Sequence, residues 1–231
     1  MLGPDTHGQL VGRLSRRMSI RIHPTAIIEE NVAIGDGTSI WDNVHIRHDA
    51  RIGINCIVGE KSHISYGVTI GNLVKINAFV YICTAVTIED GVMISAGCTF
   101  TNDRYPRAAD PELTMLRTSE PDRHTLPAVV CAGATIGAGC IIGPGLTVGR
   151  FAMIGMGCLV TQSVPDFALM IGRPAHCVGY VCYCGEPVIR FQLGEEPSES
   201  QAICQACGRQ YELRGSQLIQ SLTDFAQARA L

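Results

Sequence analysis

Aromatic residues are scarce in this chain of 231 residues: Phe, Trp and Tyr together make up 6%, with one Trp. Charged residues are also few, at 17% against a usual quarter or so. The formal net charge is only −3, with a pI near 6.1, so no bulk attraction to nucleic acid or acidic membranes is expected. No apolar run approaches the length of a membrane span, although mean hydropathy is +0.20. Residues 1–19 hold Arg13, Arg16 and Arg17 but no apolar stretch of the kind a secretory signal carries. Glycine, by contrast, is abundant, at 25 residues against an average of about 7%. Such a chain buries small aliphatic side chains around many tight turns. Eleven cysteines without an export signal read as cytoplasmic thiols or metal ligands, not as a disulfide framework.

The organising feature is a repeat. From Ile22 to Thr99 the sequence divides into thirteen six-residue units, each opening with Ile or Val. Their fifth positions are small or β-branched, as in Ala26, Thr38, Val44, Cys56, Ser62 and Cys98. The phase resumes at Val130, Ile136, Ile142, Val148, Ile154 and Val160. A helix would smear a six-residue period round its surface, whereas short strands joined by bends can hold it. The pattern predicts an all-β fold, a parallel β-helix of hexapeptide repeats. Three units per coil place residues eighteen apart one above another at roughly 4.8 Å, giving about six coils in a prism roughly 30 Å long. Cys56, Cys98, Cys140 and Cys158 fall at fifth positions and read as small core residues.

Between the two blocks, residues 100–127 carry Pro106, Pro111, Pro121 and Pro127 and cannot continue the coil. A long excursion from so regular a scaffold points to function. The coil is expected to end near Pro165. Beyond it, Cys182-Tyr183-Cys184-Gly185 and Cys204-Gln205-Ala206-Cys207-Gly208 form two knuckles, the pattern of a small zinc ribbon, the first pair one residue short of the usual spacing and Cys177 open as a substitute for one of its ligands. Four thiolates leave no open coordination position, so the metal is structural. Leu218, Leu222 and Phe225 behind Ser216 have the spacing of a short helix. The expected division is therefore an N-terminal extension (1–19), a β-helix domain (20–175), and a zinc ribbon with a C-terminal helix (176–231).

Seven histidines are present, and two stand out. His45 and His63 are both sixth residues of their units and eighteen apart, with Tyr81 next in the column. They are expected to stack on one corner of the coil and to line a cleft. A histidine there suits the deprotonation of an amine.

The hexads resemble the left-handed β-helix acyltransferases. More narrowly, Ile40-Trp41 with Val44-His45-Ile46, Phe100-Thr101-Asn102 followed by Pro106-Arg107, Ile154-Gly155-Met156-Gly157, and Ile171-Gly172-Arg173-Pro174-Ala175 are similar to the nucleotide-linked amino-sugar N-acetyltransferases of bacterial surface polysaccharide synthesis. The resemblance spans about residues 20 to 185 and implies the left hand. It implies a homotrimer with clefts between prisms, acetyl-CoA lying along a prism edge, and an amino sugar on a nucleotide as acceptor. On it, His45, Asn102 and His63 are the catalytic candidates, and Trp41, Tyr81 and Arg107 are the substrate-binding ones. Gly139, Met156 and Gly157, with Arg173, Pro174 and His176, are the candidates for the acyl-CoA, whose thioester oxygen the glycine amides would hold. Relatives carry polar amides where Asn77, Ala78 and Phe79 stand, and often Arg or Lys where His176 stands.

Three other functions compete. O-acetylation of a sugar or small molecule differs only in the acceptor. A γ-type carbonic anhydrase shares the fold but needs histidine pairs at a spacing absent here. A non-catalytic scaffold needs only the hexads.

Overall fold

The computed structural model describes residues 19–192, 194–195 and 201–221. Each hexad folds in the same way. Positions five and one point inward, position six points outward, and positions two to four make the bend. Val44 and Ile46 are thus fully buried on either side of the half-exposed His45. Burial of each such aliphatic side chain contributes about 1.5–3 kcal/mol. A β-branched residue suits the short pleated segment it occupies.

The strands stack into three parallel sheets, the faces of a solenoid. The first face begins with Arg21–Ile22, Ser39–Ile40 and Ile57–Val58. The second runs Ile27–Ile28, His45–Ile46, His63–Ile64, Tyr81–Ile82, Thr99–Phe100, Ile141–Ile142, Leu159–Val160. The third begins with Ala33–Ile34 and Arg51–Ile52. Partners are eighteen residues apart, as in His45 with His63 and His63 with Tyr81. The core is the inward row of Ile, Val, Ala and Cys; Cys56, Cys98, Cys140 and Cys158 are all buried in it.

The glycines have two separate reasons. Those at position two lie against the next coil: a Cβ on Gly35 would come 2.6 Å from the Gly53 carbonyl carbon. At position four the backbone is left-handed in nearly every unit, as at Asn31, Asn43, Asn55, Gly91 and Gly97. Asn and Gly tolerate that conformation; Ala85 (φ 64°), Leu73 (57°) and Phe79 (59°) are held in it against their preference.

Across the excursion the ladder rejoins without slip, Thr99 pairing with Ile141. At the far end the coil outruns its expected stop. Ala168–Ile171 still pairs in parallel with the strand Met153–Ile154, because Pro165 falls in a bend and leaves the next strand free. His176–Val181 then turns back antiparallel and Pro187–Arg190 follows, so the first sheet runs straight through the expected boundary at 175/176. Gln201–Ile203, Gln210–Arg214 and Gln217–Gln220 form a small antiparallel sheet. The helix expected behind Ser216 is not what these residues form. Leu218 pairs with Leu213 across a tight turn, and strand pairing outweighs a weak helical spacing. Leu222 and Phe225 lie outside the described residues. Among the described residues, none is helical and no helix is long and apolar enough to cross a membrane.

Candidate active site

The His45–His63–Tyr81 column exists, but on the flat second face and not on a corner, because sixth positions belong to the strands. His63 stacks on Tyr81 with centroids 5.3 Å apart, and His45 meets His63 edge-on at 5.1 Å. Thr99 is the next rung.

A residue missed in the sequence anchors the lower end. Glu29 sits at the bend after Ile27–Ile28, where its Oε1 lies 2.8 Å from His45 Nε2 and 2.7 Å from Arg47 Nε. Its Oε2 accepts the His48 amide at 3.0 Å. The Arg47 guanidinium foremost, then the His48 amide and His45, holds the Glu29 carboxyl down to about 2. Burial foremost, with His45 and Arg47 close by, lowers the pKa of His63. Only a sixteen-residue offset links Glu29 to His45, and no repeat position announces it.

The adjoining corner carries a second column, also unread in the sequence: His48, Tyr66, Thr84 and Asn102. The His48 and Tyr66 rings stack at 5.2 Å, Thr84 Oγ1 donates to the Tyr66 carbonyl (2.9 Å), and Asn102 Nδ2 donates to the Thr84 carbonyl (3.2 Å). Their common third position in successive second-face units was the available signal.

The catalytic candidates do not all share one rung. His45 and Asn102 are three rungs apart, with His63, Tyr81 and Thr99 marking the steps, a separation of roughly 14 Å at 4.8 Å per rung. One amine cannot touch both. Asn102 lies instead one rung from Gly139, which precedes Ile141, the partner of Thr99. The two stand at opposite corners of the second face.

The acyl-CoA candidates gather at one corner. Gly139 and Gly157 are its left-handed residues, Met156 is 84% exposed, and Arg173 Nη1 reaches the Gly157 carbonyl at 3.4 Å. Pro174 lies in the turn joining Ile171 to His176, which pair across it. The expected cradle of glycine amides is mostly spent: Gly137, Gly139, Gly155 and Gly157 donate to Ile154, Ala96, Met170 and Ala138 within the coil. Of that column only the Ala138 and Met156 amides are left for a ligand. Trp41 lines a separate hollow of about 460 Å³ with Ile22, His23 and Ile40, away from the histidine column. Arg107 is exposed on the excursion loop.

The four cysteines converge. The sulfurs of Cys182, Cys184, Cys204 and Cys207 lie within 4.8 Å of one another. Tetrahedral zinc with bonds of about 2.3 Å needs sulfurs just under about 4 Å apart, so the set fits. The Arg209 amide and guanidinium hold the Cys207 thiol down to about 6.

An all-parallel solenoid of hexads with a polar face and a bare corner defines the class of hexapeptide transferases. Residues 67–102 match the family model "Bacterial transferase hexapeptide (six repeats)". The chain is 39% identical over 191 residues to dTDP-3-amino-3,6-dideoxy-alpha-D-galactopyranose 3-N-acetyltransferase of Aneurinibacillus thermoaerophilus, covering 83% of this chain and 90% of that one. It is 26% identical to the bifunctional protein GlmU of a Synechococcus, matching 75% of this chain but only 37% of the longer protein. Among solved structures, AntD, an N-acyltransferase from Bacillus cereus, aligns at a TM-score of 0.48 and 18% identity over 70% of this chain and 79% of that one, which adds nothing to the assignment. The chain belongs to the hexapeptide-repeat family of nucleotide-amino-sugar N-acetyltransferases, and it is an N-acetyltransferase.

Proposed function

We propose that the enzyme moves an acetyl group from acetyl-CoA to the amine of a 3-amino-3,6-dideoxyhexose carried on dTDP. Its relative's acceptor is of that kind. The observation that carries the reading is the place of Asn102, one rung from the bare Gly139 corner and at the end of a polar column. With Nδ2 tied to Thr84, Asn102 Oδ1 is left to accept an amine N–H and aim the lone pair at the acyl carbon. The C–N bond forms as the carbonyl electrons move to oxygen. The C–S bond then breaks, and the leaving thiolate takes the amine proton, giving amide and CoA thiol. His45, three rungs away, and His63 lie on the nucleotide side of this centre. The Met156–Gly157 corner, Arg173 and His176 lie on the CoA side.

Asn102 and Gly139 occupy opposite corners of one face, so a homotrimer, with the corner of one prism facing the next, completes the site. The left hand of the coil belongs to the same reading. So does a structural zinc on Cys182, Cys184, Cys204 and Cys207, whose cluster fits it. The eleven free cysteines suit the reducing cytoplasm. No part is left for the carbonic anhydrase reading, since the chain belongs to the N-acetyltransferases and its sequence lacks the histidine pairs that reading needs.

The test is thiol release from acetyl-CoA against a panel of amino-sugar nucleotides, with the corresponding hydroxyl sugars as controls. Release with a dTDP-amino sugar is expected; release with none, or only with hydroxyl sugars, overturns the reading. Asn102→Ala is expected to lower kcat about 10²-fold or more. His45→Ala should instead raise KM for the sugar nucleotide about tenfold and leave kcat within about threefold. A large kcat loss in His45→Ala would return that histidine to the chemistry.

A further inference from the structure

The excursion loop folds around a cavity of about 670 Å³ whose lining includes Arg107, Arg117, Arg123, His124 and Asp110. The chain as a whole is slightly acidic, so such a concentration of guanidinium groups is out of keeping with its surroundings. Of the loop's five carboxylates, Asp103, Asp110, Glu112, Glu120 and Asp122, only Asp110 lines the cavity. Asp110 is occupied by the amides of Thr114 and Met115 and by the Thr114 hydroxyl. Asp122 takes the His124 amide at 2.7 Å and Arg117 at 3.3 Å. That ion pair is the only one formed by the loop among the described residues, and it leaves Arg107 and Arg123 without a carboxylate. The Arg123 Nε–H instead donates to His124 Nε2 at 3.1 Å.

The cavity is also tied to the acetylation centre. Leu126 donates its amide to the Asn102 carbonyl at 2.7 Å, and Arg104 donates to the His124 carbonyl at 3.2 Å. Asp103 bridges to Thr125, and farther out the Tyr66 hydroxyl donates to the Ser119 carbonyl at 3.3 Å. The loop therefore lies along the corner of Tyr66, Thr84 and Asn102. In a nucleotide-linked sugar the diphosphate is separated from the ring amine by one sugar ring, and two phosphates carry the paired anionic oxygens that guanidinium forks match.

We propose that this loop cavity holds the diphosphate of the sugar nucleotide, through Arg107, Arg117 and Arg123. The inference rests on the acceptor being a sugar nucleotide. It makes the excursion loop the element that binds the acceptor and Asn102 the point where the sugar emerges.

Two measurements test it separately from that acceptor reading. Calorimetry on the full chain compares dTDP with dTMP. The wild type should bind dTDP at least about tenfold more tightly, and R107Q/R123Q should narrow the preference to about threefold or less. In the acetyl-transfer assay the same variant should raise KM for the sugar nucleotide about tenfold while KM for acetyl-CoA stays within about twofold. R107K, which keeps charge and bulk but loses the fork, should lose part of the dTDP preference at an unchanged melting temperature. A dTDP preference that survives R107Q/R123Q and R107K overturns the proposal. A rise confined to KM for acetyl-CoA also overturns it and assigns the pocket to the CoA phosphates. If the wild type acetylates no sugar nucleotide, the acceptor reading fails, while the dTDP and dTMP comparison still decides the pocket.

Discussion

Glu29 shows how much of the polar face rests on single side chains that the repeat does not mark. Its carboxyl binds His45, Arg47 and the His48 amide together, and so fixes the lower end of the ring column. Because its folded pKa is depressed to about 2, its contribution to stability is present above the ordinary carboxylate pKa of 4.5. That contribution is lost as pH falls from 4.5 toward 2. Denaturant midpoints of wild type and Glu29→Gln should thus differ at neutral pH and converge across that window. A constant difference down to the acid end would show that Glu29 acts by shape and not by charge. The histidine column was legible because eighteen-residue spacing is a property of the string. Glu29 was not legible, because its reach depends on where a bend aims a side chain.

At the level of the coil, the sequence pattern was a nearly complete description. Opening aliphatic residues, small fifth positions and the resumption after the loop all follow from one demand, that each rung fit inside the last. The fourth-position rule is written in Asn and Gly at the bends, which apolar periodicity does not carry. It carries a prediction. Ala85, held at φ 64°, is a non-glycine in a left-handed bend. Ala85→Gly should therefore raise unfolding free energy by about 1 kcal/mol, read from thermal or denaturant unfolding. Gly35→Ala should do the opposite, since its Cβ would press on the backbone of Gly53. The placement of His45 on a corner failed for a related reason: the hexad gives period but not which of its positions lie in strands.

For the molecule as a whole, the cysteine cluster is joined to the solenoid and not merely hung from it. Tyr211 donates its hydroxyl to Cys182 Sγ at 3.0 Å and accepts the Tyr183 amide at 3.2 Å. Tyr183 in turn packs on Phe151 and Phe167 of the last coils, at 4.4 and 4.8 Å between centroids. Metal analysis is expected to find about one zinc per chain. Cys204→Ser or chelation should lower the melting temperature of the whole protein, and a single cooperative transition at an unchanged temperature would contradict the coupling.

The excursion loop also tells against treating length as a cost. Thr99 finds Ile141 where an uninterrupted coil would have offered Arg117, yet no strand on either side shifts register. An insertion that the ladder does not register is limited only by closing its ends. That entropy grows by about 0.6 kcal/mol for each doubling of length. The corner after Thr99 is thus a port. A loop of different length or sequence can be exchanged beyond Asn102 while every rung keeps its neighbour, so the surface offered at that corner can be recut without rebuilding the frame.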